Sequence, residues 1–113
     1  MEYLMLDELR TVLLDAAEDD WVYFAELESM ILEITGSSDD LLRRAGEAAV
    51  QFVRDGTIIP GTLTETHGFT PWPTTPDESA DRIHHEVTTM IRHGQDPLPG
   101  QICWFDIPDQ TPE

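Results

Sequence analysis

Residues 41–61 read LLRRAGEAAVQFVRDGTIIPG. Leu41, Ala45, Ala48, Ala49, Phe52 and Val53 recur at helical spacing, so a helix here buries one continuous stripe. Asp55-Gly56 stops that helix, and Thr57, Ile58 and Ile59 open an extended segment expected to turn at Pro60-Gly61. The stretch therefore predicts a core helix feeding a hairpin.

Working outward toward the start, Leu6, Leu9, Leu13 and Ala16 or Ala17 place one apolar stripe on an amphipathic helix from Leu4 to about Ala17. Asp19-Asp20 breaks it, and Trp21-Val22-Tyr23 is a bulky apolar run suited to a short strand. Phe24, Leu27, Met30, Ile31 and Ile34 predict a second helix closed by Gly36. Ser37 or Ser38 is then placed to cap the central helix.

Toward the end of the chain, His67-Gly68 suits a turn before Phe69, and Pro71-Trp72-Pro73 is stiff enough to fold Trp72 back onto a neighbouring surface. Thr75, Pro76 and Glu78 form a T-x-x-E capping box with proline at the first helical position. Ala80, Ile83, Val87, Met90 and Ile91 make the expected buried stripe of that helix, and Gly94 ends it. Gln101–Ile107, QICWFDI, reads as a strand that returns to the hairpin or covers the core, and from Pro108 a loose polar tail is expected.

Helix, short strand, helix, turn, helix, hairpin is an order that resembles a winged-helix domain over Leu4–Trp72. The resemblance implies an α+β fold of four helices and a small antiparallel sheet. It puts Leu41–Arg54 in the place of a recognition helix and Thr57–Trp72 in that of the wing. The combination GFTPW, DRI and PGQICWF in the last third resembles small actinobacterial proteins of uncharacterised function, which implies no activity.

At 113 residues the chain is expected to be a single domain with one modest core. It lacks a secretory signal at MEYLMLDELR, and no apolar run approaches the roughly 20 residues that span a bilayer, so a cytoplasmic protein is expected. The single cysteine, Cys103, excludes an internal disulfide and a cysteine-rich zinc site. The basic residues are all arginine, with no lysine, a usage typical of GC-rich bacterial or phage coding sequences.

Motif logic argues against an enzyme and against a bound cofactor. His84-His85-Glu86 looks like a metal motif, yet adjacent helical positions point about 100° apart, and position 89 is threonine where H-E-x-x-H needs histidine. The G-x-S-x-G and S-x-x-K nucleophile motifs and a glycine-rich phosphate loop are missing from the sequence. Cys103 lies in an apolar run without a cationic neighbour to make it a thiolate. Paired carboxylates are abundant, but acid–base catalysis needs a pocket that shifts them.

Charge is the informative signal. The net charge is −17, and residues 1–40 hold twelve acids against Arg10 alone, so −11 of it lies in about a third of the chain. Such a surface is either a solubility device or a negative field that docks a basic protein, in the manner of an inhibitor, an immunity protein or a DNA mimic. The partner-binding residues expected on the second reading are Asp15, Glu18, Asp19, Asp20, Glu26 and Glu28, with Trp21, Trp72 or Trp104 as an aromatic anchor if exposed. The alternative is a winged-helix DNA-binding regulator using Arg43, Arg44 and Arg54, which must overcome repulsion between −17 and the phosphates. A third reading is an adaptor that pairs through an exposed Gln101–Ile107 strand.

Overall fold

The computed structural model describes residues 2–108, with side chains from Met5 onward. In chain order the elements are α1 (Glu2–Asp19), β1 (Val22–Tyr23), α2 (Phe24–Thr35), α3 (Leu41–Arg54), β2 (Ile59–Thr64), β3 (Gly68–Pro71), α4 (Pro76–Arg92) and β4 (Trp104–Asp106). The fold is α+β: four helices and one four-stranded antiparallel sheet of order β1-β4-β2-β3. Of the expected polar tail only Pro108 belongs to the described residues.

The central helix takes the place that its periodicity predicts. α3 packs against both α2 and α4, with Ala45, Ala48, Ala49, Phe52 and Val53 buried. Small residues let the neighbours approach closely: a Cβ on Gly46 would lie 2.8 Å from Val87 Cγ1. α1 adds Leu9, Leu13 and Ala17, α2 adds Phe24, Leu27 and Ile31, and β4 adds Phe105, all in one buried cluster. Neither serine caps α3, because the helix begins at Leu41 and the cap position falls to Asp40, in left-handed backbone at φ 50°. Ser37 Oγ instead accepts from the Asp39 N–H at 3.2 Å, inside the preceding turn.

The chain does not turn at Pro60-Gly61. Both residues lie within β2, and the reversal comes at Glu65–His67, where the His67 N–H donates to Thr64 Oγ1 at 3.1 Å and Gly68 follows at φ 67°. Gly61 serves close packing: an added Cβ would meet Thr70 O at 2.5 Å and Phe69 Cζ at 2.7 Å. The expected Gln101–Ile107 strand contracts to Trp104–Asp106, since Ile102 takes left-handed backbone at φ 70° and cannot continue a ladder.

That short strand lies inside the sheet. Phe105 pairs with Val22 on one side and with Pro60 on the other, so β4 offers no free edge for an adaptor to use, and the sheet's edges are β1 and β3. α4 starts as its capping box predicts, with Glu78 N–H donating to Thr75 Oγ1 at 3.1 Å and Thr75 N–H to Glu78 Oε1 at 3.0 Å. Ala80, Ile83 and Val87 are buried, whereas Ile91 is 46% exposed, because the last turn of α4 borders a groove. Trp72 folds back as its flanking prolines predict, 8% exposed, with the Arg82 guanidinium 3.8 Å from its ring centroid.

Candidate functional site

The six predicted acids divide between two places. Asp15, Glu18, Asp19 and Asp20 are exposed along the end of α1, and Asp20 Oδ1 accepts from the Trp21 N–H at 2.8 Å. Glu18, Asp19 and Asp20 border a hollow of about 280 Å³ together with Trp21 and Asp106. Asp106 was not singled out in the sequence, since only the antiparallel pairing of β1 with β4 carries it there. Trp21 is 38% exposed and stacks on Phe69 of β3, ring centroids 6.2 Å apart and planes 16° apart, so its indole is held as a platform.

Glu26 stands beside this cluster but has a structural task. Its Oε2 accepts from the Tyr23 N–H at 3.1 Å and closes the start of α2. Burial lifts its carboxyl above the ordinary value, the negative charge of Asp20 adds to the rise, and the Tyr23 bond opposes it. Among the described residues Glu18, Asp19, Asp20 and Asp106 form no ion pair. Four carboxylates therefore surround an exposed indole without a cation. Asp15 lies on the helix outside the hollow.

Glu28 faces elsewhere, into a groove of about 750 Å³ between α2, the start of α3 and the end of α4. Its walls include the aliphatic side chains of Leu32, Leu41 and Ile91 and the carboxylates of Glu28 and Asp96. Burial, and then the charge of Asp96, raise the Glu28 carboxyl above its ordinary value. The groove and the hollow have no lining residue in common.

The predicted nucleic-acid residues are engaged within the chain. Arg43 pairs with Asp40 at 3.1 Å and Glu47 at 3.2 Å, and Arg54 pairs with Asp81 at 3.0 Å and Asp77 at 3.7 Å. Arg44 Nη1 donates to the Asp39 carbonyl at 3.0 Å and the Ser37 carbonyl at 3.3 Å. Surface pairs of this kind add little stability, but those of Arg43 and Arg54 set a carboxylate beside each guanidinium and cancel the local charge a phosphate would need, whereas the carbonyls occupy Arg44 without neutralising it. Arg10 and Arg82 are likewise paired, with Asp55 and Glu86.

Chemistry-bearing groups are otherwise dispersed. His67, His84, His85 and His93 are exposed, and no cluster of ligating side chains occurs among the described residues. Cys103 is buried, and loss of solvation pushes its thiol far above the ordinary range, which keeps it un-ionised. No helix among the described residues is long and apolar enough to cross a membrane. No protein-family model, curated protein or solved structure matches the chain.

Proposed function

We propose that this chain is a non-enzymatic acidic binding protein that captures a basic partner protein, in the manner of an inhibitor or immunity protein, through the hollow at the end of α1. The observation that carries this reading is the placement of Glu18, Asp19, Asp20 and Asp106 around the exposed Trp21 ring with no ion-pair partner among the described residues. An arginine or lysine of the partner lies across the indole face while its charge meets the carboxylates. A cation over tryptophan contributes about 0.5–1 kcal/mol at an exposed site and about 2 when desolvated. The surrounding negative field accelerates encounter and is weakened by salt.

The scaffold suits such a role. The order α1-β1-α2-α3-β2-β3 supports a winged-helix-like reading in which β4 is inserted between β1 and the hairpin. On this reading the surface at the end of α1, and not the arginine-bearing face of α3, carries the binding. The test is affinity capture from a nuclease-treated lysate by the parent chain and by an Asp19→Asn, Asp20→Asn, Trp21→Ser variant. A basic protein retained by the parent and lost from the variant supports the reading. Equal retention by both refutes it, and a parallel mobility-shift assay that finds DNA bound through Arg43, Arg44 and Arg54 transfers the function to the regulator class.

A further inference from the structure

The groove between α2, α3 and α4 is a second concavity of different chemistry. Leu32 is 41% exposed and Ile91 46% exposed, so two of the large aliphatic side chains left in water by this fold stand on one groove. Leu41, partly buried, lies in the same wall. Apolar area of this kind is normally covered in a folded chain or by a partner. Glu28 and Asp96 lie in the same lining, and among the described residues neither has a cation partner. The one arginine of the lining, Arg43, is already held by Asp40 and Glu47.

We infer that this groove docks a basic amphipathic segment of a partner protein, with aliphatic side chains against Leu32, Leu41 and Ile91 and a lysine or arginine between Glu28 and Asp96. Charge selects this occupant over a second copy of the chain. A chain of net charge −17 repels its own copy, and among the described residues four of the six arginines are already ion-paired within the chain, leaving Arg92 and Arg44, the latter donating to the Ser37 and Asp39 carbonyls. An acidic or neutral segment would leave two adjacent carboxylates facing one another with no compensation. The segment's cation removes that repulsion, and its aliphatic face covers the exposed side chains. Docking here does not require the hollow near Trp21 to be filled.

The test is fluorescence anisotropy with a labelled amphipathic helix built of leucine, alanine and arginine, beside the same helix with glutamate in place of arginine and a second control with serine in place of leucine. The parent chain binds the first peptide and discriminates against both controls. Leu32→Ser with Ile91→Ser weakens that binding by on the order of tenfold, through the lost apolar burial. Glu28→Gln with Asp96→Asn weakens it and flattens its salt dependence, and in an Asp19→Asn, Asp20→Asn, Trp21→Ser background the preference for the first peptide over the serine control persists. All four aliphatic and acidic groove substitutions are at partly or fully exposed positions, and the circular dichroism of each variant must match the parent. Equal binding of the three peptides overturns the inference. So does peptide binding unaffected by the groove changes, or sedimentation showing a parent dimer that Leu32→Ser with Ile91→Ser dissolves, which would make the occupant a second copy.

Discussion

Gly46→Ala is the sharpest test of how the central helix is packed. A methyl at this position would lie 2.8 Å from Val87 Cγ1, 3.2 Å from Cγ2 and 3.3 Å from Cβ. Carbon atoms in favourable contact stand about 3.5–4.0 Å apart. Val87 is only 4% exposed, and a β-branched side chain in a helix has one strongly preferred rotamer, so it cannot swing aside. Relief must come from parting α3 and α4. Replacing glycine with alanine inside a helix gains about 0.8–1.0 kcal/mol, while overpacking a core costs about 1–3 kcal/mol. The net expectation is a loss of up to about 2 kcal/mol, read as a lower midpoint in urea at constant slope. Val87→Ala vacates the contested space, so the double variant should be about 1–2 kcal/mol more stable than the sum of the single changes. A Gly46→Ala chain stabilised by the full helix-propensity gain of about 1 kcal/mol, or strictly additive changes, would refute the close α3–α4 approach.

Three further outcomes follow from the same structure. Gly61→Ala should destabilise by more than Gly46→Ala, since its methyl meets the Thr70 carbonyl at 2.5 Å, a backbone atom that cannot rotate away; urea midpoints of the two variants compare them. Because the Glu28 carboxyl is raised by burial and by Asp96, the folded chain binds that proton more tightly than the unfolded chain, and stability falls as pH rises from the ordinary glutamate value through the raised one. Glu28→Gln should therefore stabilise the chain at neutral pH by less than about 1 kcal/mol at this solvated site, read as a higher thermal midpoint, and leave the midpoint unchanged in acid below that window. Cys103, buried and un-ionised, should react with a thiol reagent only as fast as the chain opens, so mild urea should accelerate labelling.

Local chemistry made much of this architecture legible. Thr75 and Glu78 announce the start of α4 because a capping box is satisfied within four residues, and Gly36 closes α2 at φ 68° as a terminal glycine should. Pro60-Gly61 was misleading because proline and glycine mark turns in general, whereas here Gly61 makes room for the Phe69 ring and Thr70 carbonyl, a long-range requirement. Ile91 fits the helical stripe of α4, yet among the described residues it stays 46% exposed beside the groove.

The candidate site was half visible for similar reasons. Glu18, Asp19 and Asp20 are contiguous, so their joint field is evident in the chain itself. Asp106 joins them only through strand pairing. Glu26 and Glu28 look like a pair, but two steps along a helix turn side chains by about 200°, so Glu28 lines the groove while Glu26 accepts from the Tyr23 N–H. Arg43, Arg44 and Arg54 look available in the sequence because Asp40, Asp81 and the Asp39 carbonyl become their partners only in the folded chain.

The most direct measurement is a proton–nitrogen NMR titration of the three tryptophan indoles with a short arginine-rich peptide at low and at high salt. The indole resonance of Trp21 should shift progressively at low salt, the shift should collapse at high salt, and the buried Trp72 resonance should stay in place. An unmoved Trp21 resonance, or one that shifts equally in an Asp19→Asn, Asp20→Asn chain, would contradict the claim that the carboxylates around this indole form a cation-binding surface.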